Sequence, residues 1–198
     1  MMGKSPKAET GMADHELVET GVASERVFDG KLLQVFRDTV RLPDGKPATR
    51  EYIKHPGAVL IVPVCDDGRL VVERQFRYPL ERVMLEFPAG KRDPGETALA
   101  TAQRELVEEA GYEATSWTPI GRVHTGVAYS TEVIDFFVAK GLRHVGARLD
   151  VGEFLEISVM SVGELLAALD RGDITDAKTV AALLLYVRLD AKAEGRAT

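Results

Sequence analysis

The run Arg104-Glu105-Leu106-Val107-Glu108-Glu109 sets three carboxylates at i, i+3 and i+4, a spacing that gathers side chains on one face of a helix. Like charges so placed cost a helix roughly a few tenths of a kcal/mol per pair. A hard divalent cation with oxygen ligands, Mg²⁺ or Mn²⁺, reverses that cost. Such an ion can also lower the pKa of a bound water and neutralise charge on phosphoryl oxygens. Glu96, just ahead of the run, and the backbone carbonyl of Ala89 are in reach of the same ion. Arg104 is positioned to pair with Glu96 and steady the carboxylates. Without a cation, a glutamate-rich helix face is ordinarily just solvated.

Several elements must hold this run in place. Ala98, Ala102, Leu106 and Ala110 recur at helical spacing, predicting a helix over 97–110 that Gly111 ends. The glycine-punctuated loop Pro88-Ala89-Gly90 to Asp93-Pro94-Gly95 feeds it. Upstream, strands are expected at 58–64 and 69–74, with Asp66-Asp67-Gly68 as the hairpin turn, and at 83–87. Downstream, 120–123 and 133–139 read as strands. Ser161 with Glu164 forms a capping box before Leu165–Leu169, Gly172 ends that helix, and a last helix spans 177–191. Near the N-terminus, 26–34, 35–42 and 48–54 read as a small antiparallel β unit turned by Pro43-Asp44-Gly45-Lys46-Pro47. The order predicts an α/β protein, a mixed sheet covered by helices.

Composition narrows the functional classes. A chain of 198 residues suits one core with an appendage. The expected divisions are a flexible tail over 1–20, the β unit over 21–56 and the main domain over 57–198. The net charge of −6, with no basic cluster, argues against a nucleic-acid partner. No apolar run approaches the roughly 18–20 residues that span a bilayer, and the tail has no signal-like apolar core, so no membrane association and a cytoplasmic location are expected. Cys65, the single cysteine, reads as a packed strand thiol.

The segment from Gly90 to Gly111 resembles the Nudix box, G-x5-E-x7-R-E-U-x-E-E-x-G-U with U aliphatic. Gly90, Glu96, Arg104, Glu105, Leu106, Glu108, Glu109 and Gly111 all match, and Tyr112 stands where an aliphatic residue is usual. The resemblance implies a Nudix α/β/α sandwich and attack of a metal-activated water on a diphosphate linked to some group X. It makes Glu105 and Glu109 the core metal ligands, with Glu108 and the Ala89 carbonyl beside them. Glu108 and Arg104 join the catalytic set.

The flanking sequence resembles the ADP-ribose pyrophosphatase branch. The matching stretches are Arg50-Glu51-Tyr52, Pro56-Gly57-Ala58-Val59, Glu73 to Pro79, Leu85 to Lys91 and Gly172 to Thr179. By this likeness Arg50, Arg77 and Glu132 contact substrate, as does the loop at Gly126, Val127 and Ala128. Val127 stands where the branch often has a proline. Val151 stands where it often has an acidic residue, within Asp150-Val151-Gly152-Glu153, so Glu153 is taken as general base and as a residue near the metals. A nucleoside diphosphate sugar is the implied partner, and a homodimer exchanging its N-terminal β units is the implied assembly. Alternatives are hydrolysis of another nucleotide sugar or a dinucleoside polyphosphate, or a non-catalytic ADP-ribose sensor.

Overall fold

The computed structural model describes residues 16–149 and 152–193. Most of the expected tail, and Asp150 and Val151 of the expected base loop, lie outside the described residues. The chain forms two compact units that divide between Lys54 and His55.

The first unit is an antiparallel sheet ordered β1 (Thr20–Asp29), β2 (Gln34–Arg41), β3 (Pro47–Lys54). The turn at Pro43–Lys46 uses Gly45 at φ 85°, a left-handed conformation that glycine adopts without a Cβ penalty. β1 begins at Thr20, well before the expected start at Arg26, and Gly30 to Leu33 is a turn closed by a 2.8 Å backbone bond rather than strand. Val40 is the only buried residue among the described residues of this unit. Every residue of β1 is exposed, so no apolar alternation marked where the strand begins.

In the second unit, β4 (Ala58–Pro63) is central. It pairs in parallel with β9 (Val133–His144) and antiparallel with β7 (Ala89–Lys91), and β8 (Tyr112–His124) lines the far side of β9. A second sheet orders β10 (Leu155–Met160), β5 (Leu70–Arg77) and β6 (Arg82–Glu86). β4 is buried on both faces, and alternate residues serve different layers. Val59 and Ile61 pack with Ala102 and Leu106 of α1 (Ala98–Glu108). Leu60 and Val62 pack with Leu165 of α2 (Val162–Asp170) and Leu183 of α3 (Ala177–Ala193). Helices therefore cover both faces of a mixed sheet, the expected α/β sandwich. Among the described residues no helix is long and apolar enough to cross a membrane.

The helices follow the sequence closely. Thr97 caps α1 through Ala100 N–H, and Ser161 and Glu164 form both halves of the capping box on α2. The strands depart from expectation. β8 extends over 13 residues where only 120–123 was foreseen. It is an edge strand with a polar outer side, interrupted by a register shift after Pro119, and so lacks a strong apolar pattern. β10 was not anticipated, nor was β7, whose three residues sit inside a segment that reads as loop. Cys65 lies just past β4, half-buried at the turn, rather than within the strand.

Gly111 ends α1 at φ 74°, and its carbonyl accepts from Val145 N–H and Gly146 N–H. A Cβ there would lie 2.6 Å from Ala147 N, so the end of the helix can meet the chain after β9 only without a side chain. Gly111→Ala should therefore destabilise the protein by at least roughly 1–3 kcal/mol in urea unfolding. A loss under about 0.5 kcal/mol would show that this junction yields easily.

Candidate active site

The burial of Ala102 and Leu106 against β4 carries the charged positions of α1 inward with them. Glu105 is 8% exposed and Glu109 6% exposed. Glu105 lies against Gly90, where any Cβ would overlap its carboxylate. Ala89 N–H donates to Glu109 Oε2 at 2.9 Å. Both contacts depend on β7, which pairs with β4 and thereby holds Ala89 and Gly90 beside the helix.

Arg104 organises the outer side of the cluster. Its Nε and Nη2 donate to the two oxygens of Glu96 at 3.0 Å each, and Nη1 donates to Glu105 at 2.9 Å and Glu108 at 2.8 Å. Nη2 also reaches the Lys91 carbonyl at 3.2 Å. Hydrogen bonds from Arg104, then from Thr101, hold Glu96 down at about 2. Glu105 goes the other way, pushed up to about 7 chiefly by burial, with Arg104 opposing and Glu108 and Glu153 adding to the rise. Burial raises Glu109 as well, and the nearby charges of Glu73 and Glu105 reinforce it.

Two buried carboxylates play no part in the sequence-derived site. Glu86, 1% exposed, takes Arg77 Nε at 2.7 Å and Nη2 at 2.8 Å, and also pairs with Lys178, which contacts Asp176 at 3.0 Å. Burial would raise Glu86, but these cations outweigh it and hold its carboxyl below the usual range. Glu73, fully buried, has no hydrogen-bond partner on either oxygen. Both sit in stretches that matched the branch, yet nothing in a strand's sequence distinguishes a buried glutamate from an outward-facing one.

A cavity of about 400 Å³ opens beside the cluster, its wall including Ala89, Gly90, Arg77, Lys91, Lys178, His55, Thr125 and Glu132. Glu132 is bonded by the Thr125 hydroxyl, and His55 Nε2 lies 3.6 Å from its other oxygen. Gly57 N–H donates to His55 Nδ1 at 3.1 Å, so the neutral imidazole carries its proton on Nε2, towards Glu132. His55 was not foreseen, although it directly precedes the recognised Pro56-Gly57. Gly126, Val127 and Ala128 do not line this cavity, and Val127 is 84% exposed. The ends of that loop, Thr125 and Glu132, face the cavity in their place. Glu153 is half-buried, and its charge acts on Glu73, Glu105 and Glu109. Arg50 belongs to the first unit, where it pairs with Glu19.

Residues 54–183 match the NUDIX domain family. The chain belongs to the Nudix family. Ahead of the Nudix domain, residues 19–53 match the nucleoside diphosphate sugar hydrolase N-terminal domain. An ADP-ribose pyrophosphatase of Bacillus subtilis (strain 168) is 38% identical over 84% of this chain and 91% of its own length. An ADP-ribose pyrophosphatase of Mycobacterium tuberculosis is 35% identical over 87% and 84%. The methanol dehydrogenase activator of Bacillus methanolicus is 36% identical over 83% and 90%. Among solved structures, that of an ADP compounds hydrolase superposes with a TM-score of 0.80 at 29% identity, covering 90% of this chain and 96% of that one.

The Nudix cluster suits a divalent cation by its donor set. Its buried groups are hard carboxylate oxygens, Glu73 among them is unpartnered, and Gly90 leaves room for Glu105 where a methyl group would fill it. Among the described residues no three acidic, imidazole or thiol groups already converge on one point; Arg104 holds Glu105 and Glu108.

The raised carboxyls of Glu105, Glu109 and Glu73 fix the sign of a pH effect. Between the unfolded value of 4.5 and the folded value of about 7 for Glu105, the folded protein binds more protons than the unfolded chain, so stability falls as pH rises. The other two act in the same direction. In chelator, the melting temperature should therefore decline from about pH 5 to about pH 8, and Mn²⁺ should reverse most of the decline. A melting temperature that rises over this window without metal would show that these carboxyls are ionised at no cost.

Proposed function

We propose that the protein hydrolyses the diphosphate of ADP-ribose to AMP and ribose 5-phosphate in a Mg²⁺-dependent reaction, with Mn²⁺ as a substitute. The observation that carries this reading is the cavity beside buried carboxylates: it combines the cations Arg77, Lys91 and Lys178, suited to a diphosphate, with Glu132 and His55, suited to sugar hydroxyls. The ADP-ribose pyrophosphatases of Bacillus subtilis and Mycobacterium tuberculosis among its relatives favour ADP-ribose over other nucleotide sugars.

Glu105, Glu109, Glu108, Glu153 and the Ala89 carbonyl would hold the cation. When bound, it supplies neutralisation of the charge that develops on the phosphoryl oxygens. The protein contributes the rest. Arg104 fixes Glu105 and Glu108, and Arg77, itself fixed by Glu86, orients the diphosphate. Glu153, on the segment between β9 and β10, takes the proton of the attacking water as oxygen bonds to phosphorus and the bridging oxygen leaves. Arg50 is assigned to the nucleotide, and Gly126–Ala128 to a loop that meets the substrate only after closing. The first unit has a single buried residue among those described, so we assign it to pairing with a second copy in a homodimer. A cytoplasmic location accords with such a metabolite substrate.

Turnover of ADP-ribose, ADP-glucose, GDP-mannose, diadenosine polyphosphates and NADH, with Mg²⁺ and with chelator, tests the reading. The expected result is preferred, metal-dependent release of AMP from ADP-ribose, reduced more than about 100-fold in Glu109→Gln. Faster turnover of another diphosphate would overturn the substrate assignment. No turnover of any would overturn the enzyme assignment in favour of a binding protein.

A further inference from the structure

Glu73 is, among the described residues, the one carboxylate with both oxygens buried and unpartnered. Its direction follows from the strand. Val71 packs in the cluster formed with Ala102 and Leu106 of α1, whereas Leu70 and Val72 pack on the opposite side with α2 and α3. Side chains two apart share a face, so Glu73 projects where Val71 does, into the layer between sheet and α1. Its neighbour across β10, Ile157, packs against the same cluster. That layer also contains Glu105 and Glu109.

Across β6, Glu73 stands directly opposite Glu86. Like charges in that relation destabilise a sheet. Arg77 and Lys178 are bonded to Glu86, and neither bonds to Glu73. An aliphatic residue, such as the valines before it, would fill this position without the desolvation cost that an unpartnered acid incurs.

We propose that Glu73 is a further acidic ligand of the divalent-cation site on α1, reaching the ion from the sheet while Glu105 and Glu109 reach it from the helix. The inference rests on the divalent-cation reading of that site. It enlarges the donor set beyond the helix face and ties the second sheet directly to the reaction centre.

Mn²⁺ titration of the chelator-stripped, full-length protein tests it, followed by calorimetry and by the paramagnetic resonance of free Mn²⁺, in wild type, Glu73→Gln and Glu109→Gln. Glu73→Gln should bind Mn²⁺ roughly 10- to 100-fold more weakly, or bind one equivalent fewer. Its metal-free melting temperature should exceed that of wild type, because a buried repulsion has gone. Glu73→Val should behave alike and covers poor folding of the glutamine variant. Unchanged affinity and stoichiometry in both Glu73 variants, with binding weakened in Glu109→Gln, would overturn the inference and leave the cation reading intact. Two Glu73 variants that are less stable than wild type without metal and bind Mn²⁺ as tightly would mark Glu73 as a structural carboxyl and likewise overturn it. A wild type that binds no Mn²⁺ would overturn both readings.

Discussion

Carboxylates held out of water between a helix and a sheet are the constraint on which the second unit is arranged. Burying an acid without a matching partner is costly, and Glu105, Glu109, Glu73 and Glu86 are all buried within one small region. The apolar contacts of α1 make this possible. Ala102 and Leu106 are fixed against Val59 and Ile61 of the central strand, and the acids on either side of Leu106 cannot move out without dragging the helix off its seat. On the other side, β7 brings Gly90 so close that Glu105 has room only because that residue lacks a side chain. Helix register, strand pairing and one glycine thus act together to fix a single carboxylate.

The region divides into two ion systems with different balances. In the outer system, Arg104 hydrogen-bonds three carboxylates, Glu96 twice, and most of the resulting structure is a fixed scaffold. In the inner one, Glu86 is shared between Arg77 and Lys178, so cations outnumber that acid until Asp176 is counted. Between them lie Glu73 and Glu109, which have no cationic partner of their own in the described contacts. The acids without a cationic partner therefore gather on the helix side, and the cations Arg77 and Lys178 on the side of the cavity. That polarity suits a chelated anion, whose metal and phosphates present opposite signs.

Much of this was legible in the sequence, for identifiable reasons. α1 could be read because its apolar period and its Gly111 stop agree, and because the glutamates on it stand at fixed offsets. α2 could be read from its capping box. The strands were harder. β7 has three residues and a central glycine, so neither length nor propensity marks it, yet it supplies two of the main contacts to the acids. β8 is an edge strand whose polar side offers little alternation. Glu73 and Glu86 were visible as residues but not as buried ones, because their burial comes from pairing across β5 and β6. His55 reaches Glu132 across a sequence separation that no local pattern encodes. Long-range pairing, rather than local propensity, decided each of these cases.

Arg104 and Arg77 differ in what they have left to offer a ligand. Arg104 has five N–H groups, and all five are engaged: one from Nε, two from Nη1 and two from Nη2. It can stabilise bound anions only by abandoning a carboxylate that it holds. What its geometry supports is the positioning of Glu105 and Glu108, an indirect contribution that a substitution would reveal through those glutamates. Arg77 commits Nε and Nη2 to Glu86 in a two-pronged grip that fixes the plane of its guanidinium, and Nη1 takes no part in that grip. It lines the cavity together with Lys178. A pre-oriented donor is worth more to an incoming phosphate than a mobile one, because less conformational entropy is lost on binding. Glu86 thus gives up its own access to solvent to aim at the cavity a guanidinium that still has donors to offer.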